Sequence, residues 1–230
     1  YCFINNNNML SLRQGFGLNT IKSLSNWSPS DDATLEAWYQ FGVGVTVASE
    51  NVTAWADSSG NNHNMIQATA SSQPGYNLGV LNFDGVNDNL ASNQINLTGA
   101  CTIALRGRFN LASGDTVLGD DETSNAFIKF QSSSILRLRV TAGLIDFTLP
   151  SGTFGDDYLV ITRDSSNTVN AYRNGVAISS PQTRSGTIKI DNMGTNNGGT
   201  FFTGSLKEVI IFNSTSAALN DEINNRLSSL

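Results

Sequence analysis

The chain is poor in the residues that carry out chemistry. Among its 230 residues there are one His, two Cys and only 13 Lys and Arg, and charged residues make up 14%. The cysteines stand at positions 2 and 101, too few for a disulfide framework or a four-ligand zinc site. One imidazole argues against a zinc protease or a multi-His redox centre. The basic residues are never clustered, so there is no patch to neutralise phosphates and no nucleic-acid partner is expected. No run of 18 apolar residues occurs, so no membrane span is expected. The opening Tyr1-Cys2-Phe3-Ile4, followed by Asn5 to Asn8, lacks the charged and apolar regions of a signal peptide. Met9 reads equally as an ordinary start, with 1–8 an upstream extension, or as an internal residue.

What is present is uncharged polarity. The 28 Asn, 27 Ser, 20 Thr and 21 Gly account for about two residues in five, beside 39% hydrophobic residues and a net charge of -6. That balance is globular rather than disordered. The length suits one large β domain or two small ones.

Residues 1–34 are Asn- and Ser-rich, with no sustained period of two, and read as an N-terminal arm. It is either a disordered terminus or an extended segment that docks on a neighbouring subunit. From Leu35 onward, short apolar runs alternate with Gly, Asn, Asp and Ser turns. Strands are predicted at 35–41, 43–47, 80–83, 102–110, 116–118, 126–131, 135–141, 144–149, 158–163, 168–173, 176–179, 187–192 and 206–213, the spacing of a sandwich or barrel. Asn174-Gly175 between two runs predicts a type I′ hairpin, which needs positive φ at both central residues. Leu136, Leu138 and Val140 alternate with Arg137 and Arg139, and Ile103, Leu105 and Phe109 with Arg106 and Arg108, so one face packs inward and the other meets solvent. Near the end, Leu219, Ile223, Leu227 and Leu230 switch to helical spacing. Ser216 is the expected N-cap, Asp221 and Glu222 suit the early helix, and the helix is expected against one edge or end of the sandwich.

Tested against chemistry, the residues favour binding over reaction. A glycosidase needs two carboxylates set across one bond. The five Glu, at 36, 50, 122, 208 and 222, fall in no such acid-spaced strand motif, so no enzyme is expected. His63, in Gly60-Asn61-Asn62-His63-Asn64, reads as a surface loop residue, and Cys101 as a small buried hydrophobe. Asp57 with the 59–62 loop, and Asp84, Asn87 and Asp88, are oxygen clusters that could brace turns or hold calcium. Trp38 and Trp55 read as core.

Five segments occur in the order of a known domain. They are Leu35-Glu36-Ala37-Trp38-Tyr39; Trp55-Ala56-Asp57-Ser58-Ser59-Gly60-Asn61-Asn62; 81–90, with Phe83-Asp84-Gly85; 158–163 running on to Tyr172-Arg173-Asn174-Gly175; and 202–213 with the helix after it. Together, over residues 35–230, they resemble a concanavalin A-like, laminin-G-like jelly-roll β-sandwich. The resemblance implies an all-β fold and a structural calcium held by Asp57, Asn62 and Glu208. The alternative is that Asp57 braces a turn and Glu208 is an exposed strand acid. The chain also resembles lectin-fold virion proteins of tailed marine phages, in which a comparable arm precedes the domain. That implies a non-enzymatic protein on the virion surface, a capsid decoration or a fibre or tail adhesin. Its arm would dock on capsid or tail proteins, in many copies or as a homo-oligomer, and its loops would meet glycans. The alternative is a soluble or cell-surface carbohydrate-binding module.

Overall fold

The structure, a computed structural model, describes residues 27–110, 114–121, 127–150 and 154–230. Most of the expected arm, residues 1–26, lies outside them. Its last residues form a 3-10 turn, Pro29–Asp31, and Trp27 packs its ring 6.3 Å from that of Phe212.

The described strands are β1 (Leu35–Tyr39), β2 (Val45–Ala48), β3 (Asn51–Trp55), β4 (Met65–Ile66), β5 (Gly75–Asn77), β6 (Val80–Asp84), β7 (Leu90–Leu97), β8 (Cys101–Phe109), β9 (Asp115–Gly119), β10 (Phe127–Ser132), β11 (Ile135–Val140), β12 (Gly143–Thr148), β13 (Asp156–Arg163), β14 (Thr168–Arg173), β15 (Val176–Ala177), β16 (Gln182–Thr183), β17 (Ile188–Met193) and β18 (Thr203–Phe212), followed by the helix α1 (Ala217–Ser228). All join in one antiparallel hydrogen-bonded network. It folds into two layers. In the first, β14, β13, β8 and β18 lie side by side, and β1 and β6 share the far edge of β18. In the second, β12, β11, β10, β9, β17, β7, β4, β3 and β2 follow one another. Strand β5 pairs with both β6 and β3 and so joins the layers.

The main core lies between them. Ile103, Leu105, Leu159, Ile161, Val209 and Ile211 from the first layer meet Ile128, Phe130, Leu136, Leu138, Ile188 and Ile190 from the second. On β11 the predicted alternation holds: Leu136, Leu138 and Val140 are buried, and Ile135, Arg137 and Arg139 are only partly so.

The first layer breaks that rule, and the reason locates the helix. The outward residues Ala104, Val160, Ile210 and Phe212 are also buried, in a second apolar cluster with Leu219, Ile223 and Leu227 of α1. The helix therefore lies across the outer face of the sheet, not against an edge or end as its sequence suggested. Central strands covered on both faces lose their polar alternation. The three helix side chains contribute roughly 1.5–3 kcal/mol each by burial. Ser216 caps the helix as expected, its hydroxyl accepting from the Leu219 N–H at 3.1 Å; Asp221 and Glu222 fall beyond the first turn, which holds no acid.

Two positions depend on glycine, and the first matches the sequence reading. Asn174 and Gly175 take φ of 50° and 78°, as a type I′ turn demands. At Gly204 a Cβ would come within 2.3 Å of the Arg108 carbonyl oxygen, so only glycine lets β18 reach β8 there.

Candidate functional site

The Asp57 loop is held by its own carboxylate. Asp57 Oδ1 accepts from the Trp38 and Ser59 N–H groups, both at 2.9 Å. Its Oδ2 accepts from Ser59 Oγ at 2.7 Å and the His63 N–H at 3.1 Å. These four donors occupy the carboxylate's acceptor sites. Asn62 is exposed and turns the chain at φ 65°. Glu208 is fully buried, not an exposed strand acid. Its Oε1 takes the Trp38 indole N–H at 2.8 Å and Arg226 Nε at 2.5 Å. Trp38 thus donates to both acids, through different atoms; the other Glu208 oxygen, Oε2, is buried without a hydrogen-bond partner. Calcium asks for six to eight oxygens, and among the described residues no group of three or more His, Cys, Asp or Glu could hold a metal. Asp57 and Glu208 meet different atoms of Trp38 and Asn62 is exposed, and among the described residues no contact joins the three.

His63 is also placed differently from its sequence reading. It is 7% exposed, with Nε2 at 3.2 Å from Glu36 Oε1 and Nδ1 at 3.1 Å from Asn93 Oδ1. Tyr39 donates its hydroxyl to the His63 carbonyl at 2.5 Å. The ring therefore pins β1, the 57–64 loop and β7 together, a structural task. Cys101 is buried as expected, and that burial pushes its thiol up to about 11, against the pull of Arg163.

The second oxygen cluster braces a turn. Asp84 Oδ1 accepts from the Val86 and Asn87 N–H groups at 2.8 and 3.3 Å, and Asp88 Oδ2 from the Asp84 N–H at 2.9 Å. Burial pushes the Asp88 carboxyl up to about 6. A carboxyl raised above its unfolded value contributes stability that is complete below about pH 4 and lost as pH rises through about 6. Asp88→Asn should remove that dependence. Chemical denaturation should find it more stable than the parent at pH 7, by at most about 3 kcal/mol, and equal to it at pH 3; the same difference at both values would refute this account. A third acidic pair is invisible in sequence: Asp120 and Asp191 share the Gln94 amide at 3.1 and 3.5 Å, and burial raises Asp191.

A cleft of about 430 Å³ lies between α1 and the outer face of β13 and β14. Strand alternation puts Ala171 into the core and turns Asn170 and Tyr172 outward. Docking of α1 sets Asn220, Asp221 and Asn224 opposite them, with Thr162 and Asp164 at the side. The half-buried Tyr172 ring offers an apolar wall. The Oδ1 atoms of Asn220 and Asn224 are buried and have no hydrogen-bond partner. Two carboxylates and three amides give acceptors and donors, and among the described residues no Lys, Arg, His or Glu lines the cleft. Such a surface suits a ligand dense in hydroxyl groups.

Two packed β layers with a helix-covered outer face define a lectin-like jelly-roll β-sandwich. Solved structures of the same fold include a Trypanosoma rangeli sialidase in complex with sialic acid, at TM-score 0.58 and 13% identity, matched over 86% of this chain and 33% of that one. The ligand-binding domain of botulinum neurotoxin serotype D in complex with N-acetylneuraminic acid gives TM-score 0.57 and 12% identity, over 85% and 51%. The binding domain of botulinum neurotoxin DC in complex with rat synaptotagmin II gives 0.55 and 15%, over 88% and 52%. The chain thus spans about a third to a half of these relatives. No protein-family model and no curated protein matches the sequence.

Proposed function

We propose that this domain binds carbohydrate without transforming it. The observation that carries the reading is the helix-roofed cleft, in which an aromatic wall, three amides and two carboxylates converge. Two of the structural neighbours, matched over 33% and 51% of their chains, are in complex with a sialic acid, so the fold occurs in proteins that bind sugars. Asp164 and Asp221 make the cleft itself a place for uncharged sugars, whose hydroxyls donate to carboxylates. On a panel of neutral glycans, Tyr172→Ala should weaken the best ligand by at least about tenfold, equivalent to ~1.4 kcal/mol. A panel with no binder, or an unchanged affinity in the variant, would discard the reading.

The virion surface expected from the sequence is the proposed place of work, with residues 1–34 as the attachment to capsid or tail and many copies on the particle. It rests on the resemblance of the sequence. Deleting residues 9–30 should release the protein from particles, and unchanged occupancy would remove this setting in favour of a free or cell-surface module.

A further inference from the structure

The outer face of the first layer has two ends. At one, α1 covers Ala104 and Val160. The other lies four residues further along β8, about 13 Å away at strand spacing, where Asp156 pairs with Arg108 in the ladder. There the β5–β6 hairpin and the ends of β8, β13 and β18 enclose an open groove of about 460 Å³.

Its charge is opposite to that of the chain, which carries a net -6. Arg106, Arg108 and Lys207 surround a single carboxylate. Asp156 takes Lys207 Nζ at 2.6 Å and Arg106 Nη2 at 3.4 Å, and Lys207 also donates to the Leu230 carbonyl at 3.3 Å. Arg108 is exposed and makes no ion pair or hydrogen bond through its guanidinium among the described residues. A second oddity stands at the rim. Leu78 is the first residue of the two-residue hairpin loop, held at φ 49° and 87% exposed. An apolar residue in the left-handed region with no burial serves neither the turn nor the core.

We propose that this groove is a second site, for a saccharide bearing a carboxylate. Arg108 takes the carboxylate through its planar fork of donors, which matches two carboxylate oxygens at once. Asn82 and Ser205, both lining the groove, bond the ring hydroxyls, and Leu78 covers the C–H face of the sugar. The α1 cleft, lined by Asp164 and Asp221, repels such a ligand, so the two ends of one sheet face sort sugars by charge.

The site rests on the carbohydrate reading of the domain but is tested apart from it. Glucuronic acid, glucose and acetate are titrated at equal concentration and low ionic strength into the full isotope-labelled chain, with amide resonances as the readout. Glucuronic acid should shift Leu78, Asn82 and Ser205. Glucose and acetate should not, and Tyr172→Ala should leave the response intact. Arg108→Gln, at an exposed position that should leave the melting temperature unchanged, should weaken it at least about tenfold, and Arg108→Lys should fall between. Equal shifts with glucose would show that charge is irrelevant. Equal shifts with acetate would show an anion site without a sugar. Unchanged binding by Arg108→Gln, or no response to glucuronic acid at all, would also overturn the proposal. Failure of the Tyr172 experiment alone would leave it standing.

Discussion

Arg163→Met is expected to destabilise the domain by about 3–6 kcal/mol, more than any other single change considered. Arg163 is fully buried on β13, yet no carboxylate among the described residues partners it. Its Nε donates to the Gly99 carbonyl at 2.7 Å, Nη1 to Gly186 at 2.6 Å and Nη2 to Leu97 at 2.7 Å. The cation is thus satisfied by three carbonyl dipoles from the end of β7, the turn into β8 and the segment before β17, and it ties those segments together. Met fills much of the volume but gives up three hydrogen bonds from a charged donor, at roughly 1–3 kcal/mol each, and leaves the buried Leu97 carbonyl empty, while those of Gly99 and Gly186 are only partly enclosed. Arg163→Lys keeps the charge without the fork, and should lose less. Urea unfolding at constant m-value measures the loss. A Met variant within about 1 kcal/mol of the parent would mean that water replaces the guanidinium and that the clamp is not structural.

Nothing in the local sequence marks Arg163, and that is typical of what could not be read here. Elements whose pattern is local were legible: β11 through its alternation, the β14–β15 hairpin through Asn174-Gly175, and α1 through Leu219, Ile223 and Leu227 with Ser216 before them. The strand β7 was not. Ser92, Asn93, Gln94 and Asn96 break any apolar period, and it is pairing with β17 that makes Leu90–Leu97 a strand. Tertiary pairing overrides a weak intrinsic preference in such a case. The seat of the helix did have a signal. Tyr158-Leu159-Val160-Ile161 and Val209-Ile210-Ile211-Phe212 are apolar at every position, the mark of strands covered on both faces. The cleft had none, because β13, β14 and α1 meet there only after the helix docks. His63 and Glu208 were misjudged for a related reason: each is buried by residues distant in sequence, Asn93 and Arg226 among them.

The second large effect joins stability to the proposed binding. Glu208→Ala should cost about 2–4 kcal/mol and, in the same variant, abolish glycan binding at the α1 cleft while sparing the Arg108 groove. Glu208 Oε1 is the single acceptor for the Trp38 indole and for Arg226 of the helix. The Arg226 guanidinium also lies over the Trp38 ring, 4.9 Å from its centre. Removing the carboxylate leaves a buried indole N–H empty and strips the cation near the C-terminal end of α1 of its partner. Arg226 keeps about a fifth of its side chain in water, so it can turn outward. The loss therefore stays below that of a fully enclosed pair. What remains to hold α1 is the burial of Leu219, Ile223 and Leu227, and a helix freed at this end no longer fixes Asn220 and Asn224 opposite Tyr172. Glu208→Gln preserves the acceptor for Trp38 and removes the charge. It should therefore cost only about 1 kcal/mol and retain most of the neutral-glycan affinity. Hydrogen exchange of the α1 amides would separate the two variants, fast in Glu208→Ala and near parental in Glu208→Gln. If both variants keep the helix protected and the glycan bound, the carboxylate is not what seats the helix, and burial of its three apolar side chains alone suffices to build the cleft.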